Sequence, residues 1–266
     1  MTADERSPRP DYGIDAPGVV RNLSIVGAAG LLVGVGALAG LLPRELVGSP
    51  LGLVTLRLPL VGLGLGPGLG CAAMAVWMLW SSKVGKTRER ERLLDHVAWR
   101  GDERVLDVGC GRGLVLVGAA RRLKGGAAFG IDLWQAEDLS GNQPSATLRN
   151  ARIEGVADRV HVQTADMRSL PFRDRSFDVV TSSAAIHNLY RAEDRERAIR
   201  EVARVLKPGG RAIISDIRHH AEYARTFASS GCGKARLMES RVLGAALGVI
   251  TFGSLRPNTL LAIKAR

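Results

Sequence analysis

Charge is missing from two long stretches of this chain, and cysteine is scarce throughout it. No Asp, Glu, Lys or Arg occurs from Asn22 to Pro43, nor from Leu58 to Trp80. Each run is about 20 residues or slightly more, enough for a helix to cross the hydrocarbon core of a bilayer. A buried core helix is the alternative for one such run. Two in tandem, rich in Leu, Val and Gly, exceed what a soluble domain needs, so two transmembrane helices are expected. Three cysteines, Cys71, Cys110 and Cys232, supply neither a disulfide framework nor metal-ligand spacing, consistent with a reducing compartment. His219-His220 has no third ligand at convincing spacing, so no metal is expected.

Small residues add detail to the apolar runs. Gly30/Gly34, Gly36/Gly40 and Gly62/Gly66/Gly70 repeat at helical spacing, so each set lies on one helix face. Such stripes let backbones approach closely in lipid. Packing of the two helices on each other is the favoured reading, with a homodimer through the glycine-rich helices as the second. Pro59 suits a first turn, whereas Pro67 should kink the second helix.

Lys83, Lys86, Arg88, Arg90 and Arg92 crowd the exit of the second run, while the loop between the runs holds only Arg44 and Arg57. The positive-inside bias then places the C-terminal part and the N-terminal tail in the cytoplasm, on a two-span cell-membrane protein. Ala37-Leu38-Ala39 could be read as a signal-peptidase site, but the mixed charge of the preceding tail makes a poor n-region. The formal charge of +11 invites a nucleic-acid reading. Much of the excess lies beside the apolar runs, where it attracts anionic lipid headgroups, and the rest is interleaved with acids. Membrane lipid is therefore an expected partner and nucleic acid is not. Four segments follow: a tail over residues 1–22, a hairpin over 23–80, a basic linker and lead-in helix over 81–100, and a soluble domain over 101–266.

Within that domain the richest stretch is Val105-Leu106-Asp107-Val108-Gly109-Cys110-Gly111-Arg112-Gly113, followed by the apolar run Leu114–Leu123. This reads as a strand, a tight glycine turn and a helix N-terminus, a place suited to a nucleoside-bearing cofactor. Asp132 closes the next apolar run, Ala127–Ile131, where a carboxylate can accept both hydroxyl hydrogens of a ribose. Further strand-like runs occur at 160–163, 177–182 and 211–215, with helical stretches near 146–154 and 193–206 between them. Alternation of this kind predicts an α/β fold, a mostly parallel sheet covered by helices. Runs at 235–240 and 259–264 are late strands. The apolar stretch 243–252 is too short to span a bilayer; filling core is its safest reading, with a lid or a membrane-surface contact as alternatives.

The dinucleotide fingerprint puts its third glycine one place later than this chain does, where Leu114 stands. The G-x-G-x-G form, with Asp107 two places ahead, resembles motif I of the class I S-adenosylmethionine-dependent methyltransferases. The resemblance runs from about Lys86 to the C-terminus. It takes in Asp132, Thr164-Ala165-Asp166-Met167-Arg168-Ser169-Leu170-Pro171-Phe172, Ser176-Phe177-Asp178-Val179-Val180 and Arg204-Val205-Leu206-Lys207-Pro208-Gly209-Gly210. Its nearest flavour is the quinone-precursor and sterol methyltransferase group. The resemblance implies a Rossmann-like, seven-stranded sheet with a reversed last strand, and S-adenosyl-L-methionine as cofactor.

It also implies roles. The methionyl carboxylate is expected near backbone N–H groups of the Gly109–Gly113 turn, among them those of Gly109, Cys110, Gly111 and Gly113, with Asp107 helping to hold the adjacent ammonium group directly or through water. Asp132 takes the ribose, Leu133 and Trp134 pack beside adenosine, Asp166 and the Met167 N–H read the adenine ring, and Ser182 lines the site. After the fourth strand, His187 could accept a proton and Asn188 could orient an acceptor oxygen. A helix-entry histidine bonded to backbone is the competing reading. The Asn-Pro-Pro-Tyr type of signature found in many amino-group methyltransferases is absent, which tilts the acceptor toward carbon or oxygen of a small molecule. The resulting expectation is a membrane-anchored methyltransferase acting on a lipophilic small molecule. The alternatives are a tethered binding module without catalysis and, further off, a nicotinamide-dependent oxidoreductase. Because the motifs all follow Lys86, the segment from there onward is expected to fold and bind cofactor alone.

Overall fold

The computed structural model describes residues 9–48, 55–233, 235–238 and 257–266. The chain divides into two compact units. One comprises residues 1–12, 86–135 and 141–266, the other residues 13–85 and 136–140. The apolar stretch 243–252 lies outside the described residues.

The second unit is a helical hairpin. Helix α1, Pro17–Leu38, opens with a proline, tolerated there because the first amides of a helix lack partners anyway. Helix α2, Leu60–Trp80, runs through Pro67. Between them two short antiparallel strands, Glu45–Gly48 and Leu56–Pro59, pair from Glu45↔Pro59 to Gly48↔Leu56, a feature the sequence reading did not foresee. Both helices are long and apolar enough to cross a membrane. Glycine sets their contact: a Cβ on Gly64 would stand 2.5 Å from the Gly34 amide nitrogen, and one on Gly30 would stand 2.9 Å from Cα of Gly68. A Cβ on Gly62, Gly66 or Gly70 would meet nothing within 4 Å. The packing stripe on α2 is thus Gly64/Gly68, not Gly62/Gly66/Gly70. Accordingly, Gly64→Leu should destabilise the hairpin by several kcal/mol through overpacking, while Gly66→Leu should be nearly neutral. Thermal unfolding of the full-length protein in detergent distinguishes the two; equal effects would contradict this packing.

The other unit is an α/β sandwich. Its sheet contains β1 (Arg104–Val108), β2 (Ala127–Asp132), β3 (Val160–Thr164), β4 (Phe177–Ser183), β5 (Leu206–Asp216), β6 (Arg236–Met238) and β7 (Asn258–Ile263). Strand order is β3-β2-β1-β4-β5-β7-β6; the first five are parallel, and β7 runs antiparallel to β5 and β6. Successive residues point to opposite faces. Val105, Ala128, Val179 and Ile213 pack with Leu93 and Leu94 of α3 (Lys86–Leu94) and with α4 (Leu114–Ala120). Leu106, Val180, Ala212 and Ile214 pack on the other face, with α6 (Ala192–Val205) and α7 (His220–Ser229). Burial on both faces explains why the central strands read as near-continuous apolar runs. Helix α5, Pro144–Ile153, joins β2 to β3.

Two motifs serve this scaffold. Strand β5 starts at Leu206, earlier than its apolar run suggests, because Leu206 pairs with Phe177 and Arg211 with Val179, leaving Lys207–Gly210 as a bulge. Lys207 Nζ donates to Asp178 Oδ2 at 2.8 Å, and the Arg104 amide donates to the same oxygen at 2.9 Å.

Candidate functional site

Strand order reverses between β1 and β4, and the carboxyl ends beside that point form the crevice in which open α/β sheets bind ligands. The loop after β1 carries the glycines, the end of β2 carries Asp132, and the loop after β4 leads into His187. All three therefore meet at one edge of the sheet. Gly109, Gly111 and Gly113 have φ values of 71°, 51° and 85°, a region that side chains disfavour. Space forbids a side chain too: a Cβ on Gly109 would sit 2.3 Å from that of Ala185 and 3.6 Å from Cε of Met167. Two residues without that excuse, Trp134 (φ 60°) and Ala184 (φ 51°), also take left-handed backbone at the ends of β2 and β4. Backbone strain of this kind concentrates at ligand sites.

Asp132 organises the turn. Its Oδ2 accepts from the Gly111 amide at 2.8 Å, and its Oδ1 accepts from the Trp134 amide at 2.6 Å and from Asn142 Nδ2 at 3.2 Å. A carboxylate has about four lone-pair sites, so capacity for another donor remains. Beside it, Asn142 Oδ1 is buried and has no partner among the described residues. An orphaned acceptor next to a carboxylate suits a ligand carrying neighbouring hydroxyl donors. Leu133 is half-exposed at the same edge, and the Trp134 indole donates to Thr164 Oγ1 at 2.8 Å.

The hydrogen bonds of the turn bear on several expectations. The Gly109 and Cys110 amides both donate to the Ile131 carbonyl at 2.9 Å, and the Gly113 amide donates to the Cys110 carbonyl at 2.8 Å. Together with the Gly111–Asp132 bond, this gives the amides of Gly109, Cys110, Gly111 and Gly113 partners within the protein. Asp107, expected at an ammonium group, is only 2% exposed; its oxygens accept from Thr181 Oγ1 at 2.7 Å and from the Leu116 amide at 3.0 Å. It ties β1 to β4 and to the first turn of α4. Ser182 is likewise buried, its hydroxyl donating to the Val108 carbonyl at 2.8 Å. The Cys110 thiol is enclosed, and burial pushes its pKa well up.

Burial, with Asp132 nearby, raises the Asp107 pKa to about 7. The folded protein therefore holds this proton across a range in which the unfolded chain has lost it. The stabilisation is complete below the ordinary carboxylate range and is lost as pH rises toward 7. Denaturant unfolding at several pH values should show Asp107→Asn removing a downward slope of at most about 1.4 kcal/mol per pH unit. Parallel wild-type and variant profiles would contradict it.

Asp166 stands past β3, where the Ala165 amide donates to the Asp132 carbonyl at 3.2 Å. Arg168 grips its carboxylate, with Nε at 3.1 and 3.0 Å from the two oxygens, and holds its pKa below the usual range. An adenine amino group would share Asp166 with that guanidinium. Arg204 fixes the following loop by donating to the Leu170 and Phe172 carbonyls at 3.1 and 2.8 Å.

His187 lies in a short 3-10 turn, Ile186–Asn188, and its ring Nδ1 is 2.5 Å from Asp216 Oδ1. Asp216, at the end of β5, is buried and also accepts from the His187 amide (3.1 Å), the Ile217 amide (2.8 Å) and the Tyr223 hydroxyl (3.2 Å). A carboxylate facing Nδ1 favours the tautomer that carries its proton there, in which Nε2 is the acceptor. Burial and Asp216 push the Tyr223 phenol up, keeping it a donor. Arg195, itself buried, donates to the Leu189 and Tyr190 carbonyls at 2.8 and 3.0 Å and so fixes the chain beyond His187. Asn188 is half-buried, with its amide on the Ala185 carbonyl.

Sequence reasoning missed Asp216 and two residues of α5. Thr147 Oγ1 donates to the Gly111 carbonyl at 2.6 Å, and Asn150 Nδ2 donates to the Arg112 carbonyl at 2.9 Å. Their one visible signal is spacing: polar residues three apart on an otherwise apolar helix face.

Residues 106–214 match the family described as "Methyltransferase domain". Apart from residues 136–140, that match lies within the α/β unit. Among relatives, the chain is 38% identical over 130 residues to methyltransferase GfsG of Streptomyces halstedii, covering 49% of this chain and 43% of that one. It is 33% identical over 125 residues to the ubiquinone/menaquinone biosynthesis C-methyltransferase UbiE of Roseobacter denitrificans, covering 47% and 46%. The chain thus spans less than half the length of either. The fold of geranyl diphosphate C-methyltransferase from Streptomyces coelicolor, solved with S-adenosyl-L-homocysteine, matches at a TM-score of 0.54 and 20% identity, covering 67% of this chain and 76% of that one.

Proposed function

We propose that the protein is an S-adenosylmethionine-dependent methyltransferase, tethered to a membrane by its hairpin, that methylates carbon or oxygen of a lipophilic small molecule. The observation that carries this reading is the meeting of the glycine turn, Asp132 and an Asp216-oriented His187 at one switch point. The residues fit the cofactor. Asp132 and the orphaned Asn142 oxygen suit ribose hydroxyls, Gly109 leaves room that a Cβ would fill, and Asp166 lies at the next strand end. When bound, S-adenosylmethionine supplies a methyl group on a sulfonium, open to in-line displacement.

The protein's part is then alignment and proton removal. Asp216 holds the imidazole by Nδ1, and Nε2 of His187 takes the proton from an acceptor hydroxyl, or from an acidic carbon, as the new bond forms. Arg195 holds the adjoining backbone so that the ring stays aimed. The oriented ring favours catalysis over a binding module without it.

Apolar side chains such as Ile25, Leu32, Leu69 and Val76 are exposed along the hairpin, which supports a lipid environment for α1 and α2. The basic residues after α2 support a cytoplasmic catalytic unit. Tethering confines enzyme and bilayer-resident acceptor to one surface and raises their effective concentration. The test is incubation of detergent-solubilised protein with methyl-labelled S-adenosylmethionine and a lipid extract of the source cells. Label is expected in the organic phase; label appearing only with aqueous extracts would contradict a lipophilic acceptor.

A further inference from the structure

The N-terminal segment ahead of α1 is stitched to the glycine turn by contacts that belong to no motif. Arg112, inside the turn, donates through Nη2 to Asp11 Oδ2 at 2.8 Å; its side chain is 8% exposed and that of Asp11 47%. The Asp11 amide donates to Asn150 Oδ1 at 3.0 Å, and Asn150 Nδ2 donates back to the Asp11 carbonyl at 2.9 Å. The same Nδ2 donates to the Arg112 carbonyl, so one buried amide holds both segments. Room for the guanidinium comes from Gly141, where a Cβ would stand 2.8 Å from Arg112 Nη1. The next residue, Tyr12, is buried: its hydroxyl donates to Glu154 and accepts from Arg90 Nη1 at 3.1 Å.

Resting on the cofactor reading above, we propose that Asp11 is a positioning residue for the cofactor turn. It touches no cofactor itself. Through Arg112 and Asn150 it adds a brace to a glycine turn already held by its own amides, and so helps keep the Gly111 amide on Asp132 and the carboxylate aimed at the ribose. Order present before binding does not have to be imposed by the ligand, so its loss appears as weaker affinity. One consequence alters the sequence-based expectation. A fragment starting at Lys86 lacks Asp11 and Tyr12, and its cofactor turn is incomplete.

The test is calorimetric titration of S-adenosylhomocysteine into the full-length protein in detergent, alongside melting of the ligand-free forms. Asp11→Asn should weaken binding about five- to tenfold, the modest range appropriate to a partly exposed pair. Asp11→Glu should restore most of the affinity, Asp11→Asn should add nothing in an Arg112→Gln background, and ligand-free melting should be unchanged. Wild-type affinity in Asp11→Asn would overturn the inference. So would an affinity loss matched by lower ligand-free melting and not rescued by glutamate. Absence of binding by the wild-type protein would overturn the cofactor reading as well.

Discussion

Replacing His187 with alanine is expected to lower methyl transfer by about 10²- to 10⁴-fold, the usual contribution of a positioned general base. Asp216→Asn should produce a loss of the same order, since an amide at that position can donate to Nδ1 and favour the wrong tautomer. Both losses should fall on kcat, with S-adenosylhomocysteine affinity unchanged, because neither side chain bonds the glycine turn or Asp132. The measurement is single-turnover transfer from labelled S-adenosylmethionine to the active lipid extract. Full activity in His187→Ala would mean that alignment alone drives transfer and that the histidine merely anchors the 186–188 turn to Asp216.

Asp132→Ala should weaken S-adenosylmethionine binding about ten- to hundredfold, corresponding to roughly 1.5–3 kcal/mol for charge-assisted bonds. Two effects combine in that number. The ribose loses its acceptor, and the Gly111 and Trp134 amides lose theirs, which loosens the turn itself. Asp132→Asn keeps an acceptor oxygen and should fall between wild type and alanine. A calorimetric Kd for Asp132→Ala within error of wild type would remove this residue from the cofactor site.

What was legible in the sequence is what local pattern encodes. Val105–Val108 running into Gly109 specifies a strand and a turn from neighbouring residues alone, and Asp132 is marked by its place at the end of the next apolar run. Residues whose roles depend on distant partners were not legible. Asp11 meets Asn150 across 139 positions, and His187 meets Asp216 across 29, with no periodicity joining either pair. Asp107 shows a complementary limit. Its motif position places it correctly at the end of β1, but pattern cannot say which way a side chain turns, and Thr181 and the Leu116 amide draw it into the interior. The hairpin glycines fail for a related reason. Gly64/Gly68 and Gly66/Gly70 have the same spacing, and only the partner helix decides which stripe it covers.

The central claim is that the turn after β1 and the acid after β2 bind S-adenosylmethionine. Its most direct test is titration of the full-length wild-type protein with S-adenosylmethionine and, separately, with a reduced nicotinamide cofactor. Saturable binding of the first and none of the second is the predicted result; binding of the nicotinamide cofactor with none of S-adenosylmethionine would contradict the account.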